Sequence, residues 1–142
     1  MQSNKVKVLS VGGSIIAPEG VDTEFLTRFS SSIKEYLAED LQRKIIMVSG
    51  GGMPARLYQK AYREIVENHN SEEQDWIGIA ATRLNARLLK AVFSEQCHNE
   101  VVTDPTIVNE MKDQVLIAAG WKPGFSTDND AVLLAEKFGA DT

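Results

Sequence analysis

Val6-Lys7-Val8-Leu9-Ser10-Val11-Gly12-Gly13-Ser14 opens with alternating, β-branched residues and stops at paired glycines. That is the pattern of a strand running into a tight turn. Further along, Ile45-Ile46-Met47-Val48 repeats the arrangement as a continuous apolar run, the pattern of a strand buried on both faces, and ends at Ser49-Gly50-Gly51-Gly52. Between them, Phe25, Leu26, Phe29, Ile33, Tyr36 and Leu37 recur at helical spacing behind Asp22 or Thr23 as N-cap. Strand, helix and strand in this order predict a parallel βαβ unit with ligands at the carboxyl ends of its strands.

The same alternation continues outward. Pro54 starts a second helix, where its missing N–H does no harm, and Leu57, Tyr58, Ala61, Tyr62, Ile65 and Val66 form its apolar side. It fades at Asn68-His69-Asn70-Ser71. A third helix is expected from Gln74 to Phe93, with Trp76, Ile77, Ala80, Leu84, Leu88, Ala91 and Val92 as its apolar stripe. Strands are expected at Val101-Val102-Thr103 and from Gln114 to Ala118. After the loop Trp121-Lys122-Pro123-Gly124-Phe125-Ser126, Thr127-Asp128-Asn129-Asp130 opens a last helix through Phe138, and a further strand is expected to begin at Ala140-Asp141-Thr142. The fold class is α/β: one domain over residues 1–142, a three-layer αβα sandwich around a mainly parallel sheet, with no internal repeat or linker.

Composition narrows the partners. Hydrophobic residues at 43% and charged residues at 25% suit a soluble globular chain, and no apolar run is long enough to cross a bilayer. The first residues lack the apolar core and cleavage site of a signal peptide, so the expected location is cytoplasmic, without a membrane partner. Cys97 stands alone, with no internal disulfide partner and no zinc-ligand spacing around it, so no metal site is expected from protein ligands. A net charge of −5 argues against nucleic acid, though not against nucleotides, because a phosphate pocket can be electropositive inside an acidic protein.

Each glycine cluster leads from a strand toward a helix N-terminus. Without a Cβ in the way, backbone N–H groups can approach phosphate oxygens, and the helix dipole adds partial positive charge. The plainer reading, that the glycines only close tight βα turns, stays open, since neither GxxxxGK[ST] nor GxGxxG occurs.

The order of motifs is more specific than any one of them. Val11-Gly12-Gly13-Ser14-Ile15-Ile16, Val48-Ser49-Gly50-Gly51-Gly52-Met53-Pro54-Ala55-Arg56, Asp75-Trp76-Ile77-Gly78-Ile79, Thr82-Arg83-Leu84-Asn85-Ala86 and Pro123-Gly124-Phe125-Ser126-Thr127-Asp128-Asn129-Asp130-Ala131 follow one another across nearly the whole chain. Together they resemble the uridylate kinase branch of the amino acid kinase family, closest to its archaeal-type members. The resemblance implies an amino acid kinase-like, Rossmann-like fold and in-line transfer of the γ-phosphoryl group of ATP to UMP, with Mg²⁺ as cofactor and a homo-oligomer, a hexamer in the family. It further implies that Gly12, Gly13 and Ser14 lie along the ATP phosphates with Gly52 and Arg56, and that Gly13, Ser14 and Arg56 serve the transfer itself. Gly51, Asp75 and the loop Trp121, Lys122, Pro123, Gly124, Phe125, Ser126 and Thr127 would then hold UMP.

Plainer roles stand beside these. Asp75 also suits the N-terminal carboxylate of its helix, Arg56 a solvated surface charge, Trp121 loop packing, and the pair Arg83 and Arg87 acidic partners or a subunit interface. The family pattern is broken where Ser10 and Met53 replace frequent lysines and where Gly120-Trp121-Lys122 replaces a threonine-containing sequence. Thr142 falls before the strand and loop that hold adenosine in the family, so an N-terminal, acceptor-binding part with weak or absent turnover is the expectation. Other acid or phosphate acceptors, or non-catalytic nucleotide binding, are the alternatives.

Overall fold

A computed structural model describes residues 5–17, 19–108 and 110–140; the strand expected from Ala140 falls for the most part outside them. Strands β1 (Val6–Val11), β2 (Lys44–Ser49) and β3 (Val115–Ala118) form a parallel sheet in the order β1-β2-β3. The apolar run predicts its own place: β2 is central and buried without interruption from Ile45 to Ser49, whereas β1, at one edge, keeps Lys7 and Ser10 exposed.

Helices cover both faces. On one, α2 (Thr23–Glu39) and α4 (Ser71–Val92) bring Leu26, Leu37, Ala86 and Leu89 against Ile45, Met47, Val115 and Ile117. On the other, α5 (Thr127–Phe138) brings Ala131, Leu134 and Ala135 against Val8, Ile46, Val48 and Leu116. Alternate residues of β2 thus serve opposite layers, as the two-residue period of a strand requires. Caps set the helix starts: Asp22 accepts from Phe25 N–H at 2.9 Å, Asn70 from Glu72 and Glu73 N–H at 2.7 and 3.1 Å, and Ser126 from Asn129 N–H at 3.1 Å.

Four expectations are corrected. A short helix, α1 (Gly13–Ile16), follows β1 where a plain turn was expected. The strand at Val101–Thr103 shrinks to one parallel bridge between Val102 and Ala118, because Pro105 lacks an N–H and restrains Asp104 before it. Helix α4 begins at Ser71 rather than Gln74, so Asp75 sits past its first turn and Asn70 is the cap. The apolar stripe of α3 (Gly52–Ile65) and the first half of the one on α4 do not face the sheet, while Leu88 and Val92 of the expected α4 stripe do pack against the core. Leu57, Tyr58, Ile65, Trp76 and Leu84 stay exposed, and α4 turns Ile79, Thr82, Asn85, Ala86 and Leu89 inward.

Asp130 is the unusual core residue: it is 1% exposed in α5, and neither carboxylate oxygen has a hydrogen-bond partner among the described residues. Burial raises its pKa to about 6, against a smaller opposing effect of the nearby Trp121 backbone N–H. The folded chain therefore holds this proton to higher pH than the unfolded chain does, and stability is lost as pH rises from the ordinary carboxylate range through about 6. Asp130→Asn cannot ionise. Urea denaturation should find it more stable than the parent by up to about 3 kcal/mol at pH 7.5, with the gap closing by pH 3.5. A gap independent of pH would contradict the assignment.

Candidate functional site

The strand register gathers the glycine turns. Val11 pairs with Ser49 and Val48 with Ala118, so Gly12, Gly50 and Gly120 emerge side by side at the carboxyl edge of the sheet. The first two turns then pack backbone on backbone. A Cβ added at Gly13 would lie 1.9 Å from the nitrogen of Gly52, and one at Gly50 would lie 2.7 Å from the nitrogen of Gly13. Gly52 itself has φ +66°, the left-handed region that other residues avoid. Gly50 N–H donates to Val11 O at 3.0 Å and Met53 N–H to Ala17 O at 3.1 Å, which fixes one turn against the other.

Helix α4 holds these turns from behind. Asn85, 4% exposed, donates through Nδ2 to the carbonyls of Gly50 at 2.9 Å and Gly51 at 3.1 Å. A trans peptide points its C=O and the following N–H in opposite directions, so this grip turns the N–H groups of Gly51 and Gly52 away from α4. Thr82 Oγ1 accepts from Gly120 N–H at 2.8 Å and donates to Ile79 O at 2.6 Å. Arg83 reaches Gly120 O at 3.2 Å and Trp121 O at 3.0 Å, so within the described residues it grips carbonyls rather than an acid. Arg87 does approach an acid, Glu100, at 4.0 Å.

In front of this scaffold lies an open cleft of about 340 Å³ between α3, α4 and the loop leaving β3. Asp75, Gly78, Ile79 and Thr82 line it from one face of α4, Gln59 from α3, and Gly120 with the run from Lys122 to Thr127 from the loop. Six of the residues expected in the loop around a nucleotide, Lys122, Pro123, Gly124, Phe125, Ser126 and Thr127, thus share one cavity with Asp75.

The remaining expectations divide. Gly51 sits behind the cleft, where a Cβ would meet Ala55 at 2.7 Å and Thr82 at 3.7 Å. Trp121 does not line the cavity; it packs on Phe125 at 4.6 Å between ring centres, with the Lys122 ammonium 4.4 Å from its own ring, which favours the packing role. Asp75 is exposed, not buried, and its carboxylate has no hydrogen-bond partner among the described residues. Arg56, on the first turns of α3, is likewise exposed and unpaired among them. Gly12, Gly13 and Ser14 begin α1 beside Gly52, so the two groups expected along donor phosphates adjoin each other. Ser10 Oγ donates to Asp128 Oδ1 at 2.8 Å, tying the end of β1 to the first turn of α5. Sequence reasoning passed over Gln59 and the roles of Thr82 and Asn85. The signal for Thr82 and Asn85 was a pair of polar residues three apart between the apolar residues Ile79, Ala86 and Leu89 of α4.

A parallel sheet with glycine turns at its carboxyl edge, flanked by helices on both faces, defines an α/β protein of the Rossmann-like kind. The family model for the amino acid kinase family matches residues 5–142, and the chain belongs to that family. A uridylate kinase of Pyrococcus abyssi is 36% identical over 139 residues, covering 94% of this chain and 58% of its own length. One from Methanococcoides burtonii is 37% identical over 139 residues, covering 94% of this chain and 56% of its own. The crystal structure of a uridylate kinase from Archaeoglobus fulgidus superposes with a TM-score of 0.80 at 36% identity, over 97% of this chain and 60% of that one. The chain therefore spans somewhat more than half the length of these relatives. Among the described residues no helix is long and apolar enough to cross a membrane.

The clamp on the β3 turn is testable through stability. Thr82→Val keeps the shape of the side chain but leaves the buried Gly120 N–H without its acceptor, and urea denaturation should show a loss of about 1–3 kcal/mol. An unchanged denaturation midpoint would contradict the clamp.

Proposed function

We propose that the chain is the acceptor-binding part of a uridylate kinase, taking UMP in the cleft bounded by Asp75 and the run from Lys122 to Thr127, for phosphoryl transfer from ATP in the cytoplasm. The observation that carries this reading is the shared cavity of Asp75 and that loop, set against the glycine turns. The Asp75 carboxylate, having no partner among the described residues, is available to accept from ribose hydroxyls. Gly51 and Gly52 N–H groups, turned away from α4 by Asn85, suit phosphate oxygens, and the amino end of α3 adds the positive end of its dipole. Gly13 and Ser14, at the start of α1, and Arg56 on α3 would act on the donor phosphates and the transferred group. ATP supplies the γ-phosphoryl group and Mg²⁺ charge neutralisation carried on phosphate oxygens.

One contact favours a second reading, nucleotide binding without turnover. Ser10, standing where the family often has lysine, is hydrogen-bonded to Asp128, so this place offers the moving phosphoryl group no cation. Calorimetric titration and a coupled turnover assay separate the cases. UMP should bind, and Asp75→Ala should weaken it about 10-fold or more. In the full-length gene product, turnover of UMP and ATP marks the kinase and binding with zero turnover marks the second reading; the present chain by itself is expected to turn over weakly or not at all. No binding of UMP at millimolar concentration would end both.

A homo-oligomer is also proposed, through an exposed apolar face shared by α3 and α4. Tyr58 at 70% and Leu84 at 66% exposure flank an apolar groove between α3 and α4 that also holds Pro54, Ile77, Ala80 and Ala81. Sedimentation velocity should find the parent above monomer mass and Leu84→Glu shifted toward monomer. A parent that sediments as a monomer would refute it.

A further inference from the structure

Gln59 lies in the second turn of α3, and nothing above assigns it a role, yet it lines the cleft beside Asp75. Its amide is oriented from one side only. Nε2 donates to the backbone carbonyl of Gln74 at 3.0 Å, and since a carbonyl can only accept, the nitrogen must be the atom that faces it. Oε1 is then turned to the other side. It accepts from no group among the described residues, and it is not one of the sealed, orphaned atoms of the interior, so it stands open in the half-buried wall it belongs to.

Gly78 makes this placement possible. A Cβ there would lie 2.6 Å from Gln59 Nε2 and 3.4 Å from its Cδ, so any other residue at 78 pushes the amide out of position. Gln74 and Gly78, the two residues of α4 that hold Gln59, bracket Asp75 in sequence, and Asp75 lines the same cavity. Thr82, the other polar side chain on this wall, is spent on Ile79 O and Gly120 N–H. What the α3–α4 wall offers a ligand is therefore a pair of acceptors, the Asp75 carboxylate and Gln59 Oε1. Two acceptors lining one wall of one cavity suit a ligand with two donors, and in a phosphorylated ligand of this size the vicinal hydroxyls of a ribose supply them.

We infer that Gln59 is a specificity-determining residue of the cleft, its Oε1 and the Asp75 carboxylate together reading the ribose diol of the acceptor, with Gly78 keeping it in place. The inference deepens the acceptor assignment of the preceding subsection and rests on it.

Calorimetric titration of the full chain with UMP and with 2′-deoxy-UMP tests it, in the parent, in Gln59→Leu and in Gly78→Ala. The parent should prefer the ribose form, and Gln59→Leu should reduce that preference by about 3- to 10-fold, the loss of one hydrogen bond. Gly78→Ala should act in the same direction with an unchanged melting temperature, because the atom displaced is the far end of a flexible side chain and alanine favours the helix. If the parent binds UMP and both variants keep its ribose preference, Gln59 does not read the sugar, while the acceptor assignment stands. If the parent binds neither nucleotide, the acceptor assignment fails and takes this inference with it.

Discussion

The close approach of two backbone turns, Gly13 against Gly51 and Gly52, is the constraint on which the rest of the molecule depends. The atoms that would clash with a Cβ at Gly13 are backbone, 1.9 to 2.6 Å away, so no side-chain rotation could relieve a substitution. This contact sets how β1 leads into α1 and β2 into α3, and so puts the starts of both helices at one point above the sheet. Parallel pairing in a single register then adds Gly120 beside them. Glycine here serves close approach first.

Helix α4 converts that geometry into a directed site. Most long helices on a sheet bury a purely apolar stripe, but this one spends three inward or half-buried positions, Thr82, Arg83 and Asn85, on the backbone carbonyls and N–H of two different turns. A buried polar side chain is costly unless satisfied, and here satisfaction and orientation are the same bonds. The displaced apolar residues end on the outer side, where Tyr58 and Leu84 border an open groove. The same rotation of α4 that lets it grip the turns thus leaves an apolar face for another surface to cover.

Periodicity made β1, β2, α2 and α5 readable, because each has one dominant environment: a buried strand, an edge strand, or a helix with one covered side. It failed where tertiary contacts override it. The stripe from Trp76 through Leu84 is apolar at helical spacing, yet the face that packs inward carries Thr82 and Asn85, since hydrogen bonds to Gly50, Gly51 and Gly120 outweigh apolar burial there. Val101-Val102-Thr103 has strand-like residues but runs into Asp104-Pro105, and only Val102 pairs. At the site, motif order brought Asp75 and the run from Lys122 to Thr127 to one cavity, while Gln59 carried no local signal: its role comes from contacts with Gln74 and Gly78 on another helix.

The central claim is that the glycine turns, Asp75 and the loop after β3 form a single ligand site at the carboxyl edge of the sheet. Backbone amide resonances followed during titration with UMP test it most directly. The account predicts shifts concentrated at Gly51, Gly52, Gly78 and from Lys122 to Thr127, with Gln96 and Gln114 at the opposite edge unmoved. Shifts centred on that opposite edge, or spread evenly over the chain, would contradict it.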